Sequence, residues 1–458
     1  MKRTYLAVTA AALIIIVVFS GLLLSNNFSA KPQKADAYVG VAYCGDSVAD
    51  GKQLIDKVKG YTNLFVLQSG LLQRDTESVE ELGDYAIDAG MYFLPYFGNF
   101  IQESFSLWLE SAKARWGDRL LGVYYGDEPG GKMLDDYVQF KDVVTGDGIT
   151  KTRYGDIVVQ KPNGIVINYQ LDGAIRLSEP APAGSVSDIN SEEVFYPDGT
   201  VQVIKAAPNG FSYHSYGELQ SIRPFKDIDE TAQRFIGRDR DNLDFLGNST
   251  TVFTSDYGLY WFDYLSGYDV ILGQIGWNIS TTQQLALLRG AADMQQKDFG
   301  VVITWKYQSP PYLDNGTVIL DQLTEAYRCG AKYLVLFDYY DSNSGPFGTM
   351  QEEHFQAVNS FWHDVVMNPQ EVQGSVVADT ALVLPKNYGW GARWVEDKIW
   401  GIFVADQQTK LLWSLMQTTL ANHGLNTDII YDDTKYPLRS VYSNVYYWNG
   451  TTNSLVPG

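Results

Sequence analysis

The stretch RLLGVYYGDEPGG, at positions 119–131, holds the residues best placed for chemistry. An apolar run leads into Gly126, then Asp127, Glu128, Pro129, Gly130 and Gly131. A carboxyl at the end of a buried strand is partly shut off from water. That raises its pKa and suits it to general acid work. Asp, Pro and Gly also make ordinary turns, so a turn alone is the competing reading. Two more carboxylates end apolar runs: Asp256 in TVFTSD and Asp338 in AKYLVLFDYYD. Carboxyls facing each other across a cleft can hydrolyse an acetal, one as acid and the other as base or nucleophile. Asp256 reads equally as the N-cap of a helix starting in YGLYWFDYL.

Other apolar runs end in Tyr96, Tyr124, Gln274, Trp277, Trp305 and Lys306. Together these would line a substrate site with hydrogen-bonding groups and flat rings, which suit the faces of sugars. The chain as a whole is 14% aromatic, with 31 Tyr, 21 Phe and 11 Trp, beyond what a core requires. Trp277 and Trp305 also read as packing residues, and Lys306 as an ion-pair partner of Asp338. The four histidines, His214, His354, His363 and His423, have no ligand spacing, so no metal is expected. No nucleophile elbow, phosphate loop or dinucleotide fingerprint occurs, and no cofactor is expected.

The elements that must position these residues follow a rhythm. Short apolar runs at 38–45, 62–70, 91–99 and 120–129 alternate with amphipathic helical stretches. The rhythm resumes at 251–256, 268–277, 299–311 and 331–341. Strands apolar on both faces, separated by helices, indicate a parallel α/β sheet. Eight of them suggest a closed (β/α)8 TIM barrel, with an open doubly wound sheet as the alternative. Between the two halves, Asn163-Gly164, Asp172-Gly173, Asp198-Gly199 and Asn209-Gly210 mark β-hairpins, so an antiparallel insertion is expected over about 150–225. After the barrel, 369–458 reads as a small α/β domain, leaving 38–368 to the barrel and its insertion.

In such a barrel the site lies at the C-terminal ends of the strands. Alternation of side chains places Cys44, Gln68, Tyr96, Glu128, Asp256, Gln274, Lys306 and Asp338 inward at that rim. The same alternation turns Asp127 away from the cleft.

Residues 5–24 form an uncharged apolar run behind Lys2 and Arg3. At about 20 residues it matches the hydrocarbon thickness of a bilayer, so residues 1–37 read as a transmembrane signal anchor and stalk, with the chain facing outward. A cleaved signal peptide, giving a secreted protein, is the alternative. Either way the cell surface or exterior is expected. The net charge of −20 argues against nucleic acid. Sequons at Asn27, Asn248, Asn278, Asn315 and Asn449 fit a glycoprotein. Cys44 and Cys329 fall at opposite ends of the barrel and are not expected to bridge.

An exported barrel with Glu128 ending its fourth strand resembles the clan of barrel glycoside hydrolases. The unit after the barrel resembles a shortened form of the amidotransferase-like trimerisation domain of family 42 β-galactosidases, which implies a homo-oligomer. The resemblance implies that Glu128 is the acid and that carbohydrate is the partner. The clan has Asn-Glu where this chain has Asp127-Glu128. The clan also carries its nucleophile on strand seven, which here reads ITWKYQ without a carboxylate. Asp338 or Asp256 would have to take that part. A catalytically silent barrel, serving as a carbohydrate-binding or structural envelope protein, is the other reading.

Overall fold

The computed structural model describes residues 37–98, 103–183, 185, 188–206, 214–276, 279–306, 311–338, 346–438 and 440–454. The apolar run 5–24, Asn27, Trp277 and Asn278 lie outside them. No helix among the described residues is long and apolar enough to cross a membrane.

In chain order the first strands are β1 (Tyr38–Tyr43), β2 (Leu64–Leu67), β3 (Tyr92–Pro95) and β4 (Val123–Tyr124). An antiparallel meander follows: β5 (Val138–Lys141), β6 (Gly148–Lys151), β7 (Ile157–Gln160), β8 (Val166–Tyr169), β9 (Ile175–Pro180), β10 (Ile189–Phe195) and β11 (Val201–Lys205). Parallel strands then resume as β12 (Val252–Asp256), β13 (Val270–Ile275), β14 (Asp298–Ile303) and β15 (Tyr333–Phe337). Four helices belong to the first half: α1 (Val48–Val58), α2 (Thr76–Asp88), α3 (Glu103–Trp116) and the short α4 (Pro129–Asp135). After the meander come α5 (Tyr216–Ser221), α6 (Ile228–Gly237), α7 (Arg240–Gly247), α8 (Tyr260–Ser266), α9 (Thr281–Gln295), α10 (Gly316–Arg328) and α11 (Glu352–Ser360).

The eight parallel strands run β3-β2-β1-β15-β14-β13-β12-β4. The two ends of that order meet. Phe93 bridges Leu120 and Tyr96 bridges Tyr124 in parallel, and the Phe97 amide donates to the Tyr124 carbonyl at 2.9 Å. The sheet is thus TIM-barrel-like. Its interior holds Ala42, Leu64, Val66, Leu94, Tyr124, Phe253, Leu272, Val302, Val335 and Phe337.

The antiparallel sheet starts at Val138, ahead of the expected 150, and ends at Lys205. Helices α5, α6 and α7 follow it instead, and α5 falls within the range expected to be part of the insertion sheet. The expected turn pairs at 163–164, 172–173 and 198–199 each join consecutive antiparallel strands.

The C-terminal unit has a sheet in the order β17-β16-β18-β19: β16 (Thr380–Leu384), β17 (Thr427–Tyr431), β18 (Asn444–Tyr447) and β19 (Thr452–Ser454). Its helix, α12 (Gln407–His423), starts with Asp406 accepting from the Thr409 amide. This unit is packed hard on the barrel. Arg289 of α9 ion-pairs with Asp428 at 2.8 Å, with both side chains shut off from solvent. The same guanidinium donates to the carbonyls of Val376, Leu425 and Thr427, and Tyr442 holds the other Asp428 oxygen.

Both cysteines are free thiols. Cys44 follows β1 at the barrel mouth, and Cys329 is buried at the C-terminus of α10.

Candidate active site

The chain turns sharply after β4. Gly126 has φ 66° and Glu128 has φ 53°, both in the left-handed region. For a non-glycine residue this conformation costs about 1–2 kcal/mol, so the surroundings must hold Glu128 there. Strand alternation ends with the turn. This corrects the expected outward placement of Asp127: the carboxylate lies at the mouth. Its Oδ1 accepts from Tyr124 Oη at 2.7 Å, Ser255 Oγ at 3.0 Å and Gln68 Nε2 at 3.3 Å. Lys132 Nζ lies 3.7 Å from its Oδ2.

Glu128 is partly buried. Gln274 Nε2 donates to its Oε1 at 2.7 Å and also to Ser255 Oγ at 3.1 Å. Three hydrogen bonds in series, of 2.7, 3.1 and 3.0 Å, therefore link the carboxylates, so the bonded oxygens lie no more than about 9 Å apart. Burial pushes the Glu128 carboxyl up to about 7, and the negative charge of Asp127 adds to the rise. Tyr96 stands over this network, edge-on to Tyr124 with ring centroids 5.0 Å apart. Burial first, then the charges of Asp127 and Glu128, keep the Tyr96 hydroxyl protonated.

The other two expected carboxylates are not at the mouth. Inward-facing positions on β12 are Phe253 and Ser255, so Asp256 points the other way and is fully buried. It accepts from the backbone amides of Gly130 at 2.5 Å, Gly131 and Tyr257 at 2.7 Å, and Gly258 at 3.2 Å. Asp256 thus ties α4 to the loop after β12. The two glycines permit it: a Cβ on Gly130 would stand 2.4 Å from the Gly258 carbonyl oxygen, and one on Gly131 2.2 Å from the Tyr257 ring. Beneath Asp256 lies Asp263, whose carboxyl is held far above the usual range by burial and by the Asp256 charge.

Asp338 shows the same parity error. Tyr333, Val335 and Phe337 face the interior, and Asp338 is fully buried. Its Oδ1 accepts from the Cys44 amide at 3.0 Å, and burial raises its carboxyl to about 7. Lys306 pairs with Asp314 at 2.8 Å, which corrects the expected pairing with Asp338. Trp305 stacks on Phe337, with centroids 4.7 Å apart, beside the interior cluster.

The structure thus brings together Glu128, Gln274, Tyr96, Tyr124 and Gln68, and adds Asp127, which strand alternation turned away from the cleft, and Ser255, which sequence alone did not single out. The signal for Asp127 was present in Gly126 and Pro129, since neither continues a strand. A cleft of about 1000 Å³ adjoins Asp127, walled by Pro129 and Lys132, by Phe140 of β5, and by Arg234 and Arg238.

Because Glu128 binds its proton more tightly when folded, folding takes up protons between about pH 4.5 and 7. The stability it contributes is present below about 4.5 and is lost as pH rises through 7. Glu128→Gln is therefore expected to unfold with the wild-type midpoint near pH 4. Near pH 8 it should be more stable than wild type by about 2–3 kcal/mol, measured by urea denaturation.

No protein-family model matches the chain, and no curated protein matches it. Solved structures align with the chain at low identity. A GH5_18 protein from Streptomyces cattleya, in complex with GlcNAc, aligns over 91% of this chain and 100% of its own, at 11% identity and a TM-score of 0.44. An endo-1,4-β-mannanase from Rhizomucor miehei aligns over 72% and 95%, at 9% identity and a TM-score of 0.35. An HpcH/HpaI aldolase from Desulfitobacterium hafniense aligns over 69% and 90%, at 10% identity and a TM-score of 0.27.

Proposed function

We propose that this is an outward-facing, glycoside hydrolase-like protein that acts on polysaccharide or glycoconjugate, with Glu128 as its general acid. One observation carries the reading: a strained, partly buried carboxyl beside a second carboxylate, with its pKa near 7. Such a group holds its proton at neutral pH and can give it to a departing glycosidic oxygen. Asp127 would then take a proton from the attacking water, so that the proton lost by Glu128 is balanced by the one Asp127 gains. Tyr96 would pack against the sugar at the cleaved bond, whereas Tyr124, expected beside it, is fully buried beneath. The cleft beside Asp127 would take the rest of the chain. Attachment to the membrane through residues 5–24 belongs to the same proposal, as does assembly into a homo-oligomer.

A silent, carbohydrate-binding barrel remains the second reading. What favours it is that Asp256 and Asp338 are wholly buried, so neither expected partner of Glu128 is open to a substrate. The two readings part on one measurement. A panel of polysaccharides is incubated with the full chain, and both new reducing ends and bound ligand are followed. Release of reducing ends that Glu128→Gln abolishes supports the hydrolase. Binding without release by the wild type supports the silent barrel, and neither binding nor release overturns both.

A further inference from the structure

Helix α4 carries Glu128 at its N-cap and is only seven residues long. A helix that short has little stability of its own, so its neighbours set its position. At its N-terminus, Asp256 of β12 holds the Gly130 and Gly131 amides. At its C-terminus, Lys151 of β6 is fully buried and donates to the Asp136 carbonyl at 2.7 Å. The third hold comes from the C-terminal unit. Arg393 grips Asp135 with both terminal nitrogens, Nη2 reaching Oδ1 at 2.9 Å, and holds Asp397 through Nε at 2.8 Å and Nη2 at 2.7 Å. The Arg393 side chain is only 4% exposed and lies against the rings of Trp394 and Tyr257. Tyr257 in turn donates to Asp135 at 3.0 Å. Close by, Gly401 touches the carbonyls of Met133 and Leu134, where a Cβ would stand 2.4 and 2.5 Å away.

We infer that the C-terminal unit is a working part of the site: Arg393, acting through Asp135, is a positioning residue that fixes where the Glu128 carboxyl sits between Gln274 and Asp127. The span from Glu128 to Asp135 is about 10 Å of rigid helix, short enough for a shift at one end to move the other. The groups that face Glu128 are Asp127, Asp256, Lys132, Tyr96, Tyr257 and Gln274. All but Gln274 and Tyr96 belong to α4, its flanks or the segments touching it. If α4 loosens, water reaches the carboxyl and its proton is held less tightly. The inference rests on Glu128 as the acid only for its bearing on catalysis.

The test uses the full chain with two readouts in Arg393→Met, Asp135→Asn and the double variant. The first is the Glu128 titration, followed by 13C resonance and assigned with Glu128→Gln. The midpoint is expected to fall by about one pH unit in either single variant and by no more in the double. The second is hydrogen exchange at the Gly130 and Gly131 amides, expected to quicken by about tenfold or more. A folded Arg393→Met that leaves both readouts at wild-type values overturns the inference. If Arg393→Met does not fold, Asp135→Asn reads the same coupling, because Arg393 keeps Asp397. An ordinary carboxyl midpoint for Glu128 in the wild type would defeat the proposed acid. Exchange at Gly130 and Gly131 would still decide the clamp.

Discussion

Glu128→Gln should lower turnover of a cleaved polysaccharide by about 10²–10⁴-fold, the usual contribution of a general acid. The amide keeps the size of the side chain and its contact with Gln274, so affinity for the glycan is expected to stay near wild type. The loss should therefore fall on kcat rather than KM. The pH dependence carries a second signature. Activity that needs protonated Glu128 is expected to decline as pH rises through about 7. Asp127→Asn removes a neighbouring negative charge, so in any activity that remains this alkaline limb should move to lower pH. A wild-type profile without an alkaline limb, or a Glu128→Gln variant with unchanged kcat, would remove Glu128 from the mechanism.

The second large effect is on stability. Arg289→Met leaves Asp428 buried without its cation and strands three carbonyls that the guanidinium now serves. Removing one partner of a buried ion pair typically costs about 3–5 kcal/mol, and a similar loss is expected here in urea unfolding. Because the pair joins α9 to β17, the C-terminal unit should become the first part open to protease. An Arg289→Met variant within about 1 kcal/mol of wild type would show that the unit is held mainly by its apolar contacts.

The order of strands was legible because each is a short apolar run followed by an amphipathic helix. Hairpins in the insertion were legible from their turn pairs. Which face of each strand points inward was harder to read. In β12 and β15 every residue is buried on both sides, so no polar alternation separates the interior from the helix layer. That is why Asp256 and Asp338 were assigned to the rim and lie behind it. At β4 the difficulty was of another kind, since two left-handed residues within three positions end the alternation. Gln274 on β13, and Gln68 and Tyr96 just past the ends of β2 and β3, keep the alternation of their strands and meet Glu128, Asp127 and Tyr124. The partners of Asp256 and Arg393 are set by contacts 125 and 258 residues apart in sequence, which no local pattern encodes.

The three holds on α4 also bear on how the protein is made. Synthesis delivers Glu128 first, Lys151 soon after, Asp256 later, and Arg393 with Asp397 last of the four holds. Until those last residues emerge, the turn at Glu128 has no finished seat, and its left-handed backbone is free to relax. The nascent chain can complete all eight barrel strands while the Glu128 carboxyl stays unset. Setting that group thus waits on residue 393, and a chain cut short before it would retain the GDEP turn without the arginine that fixes it.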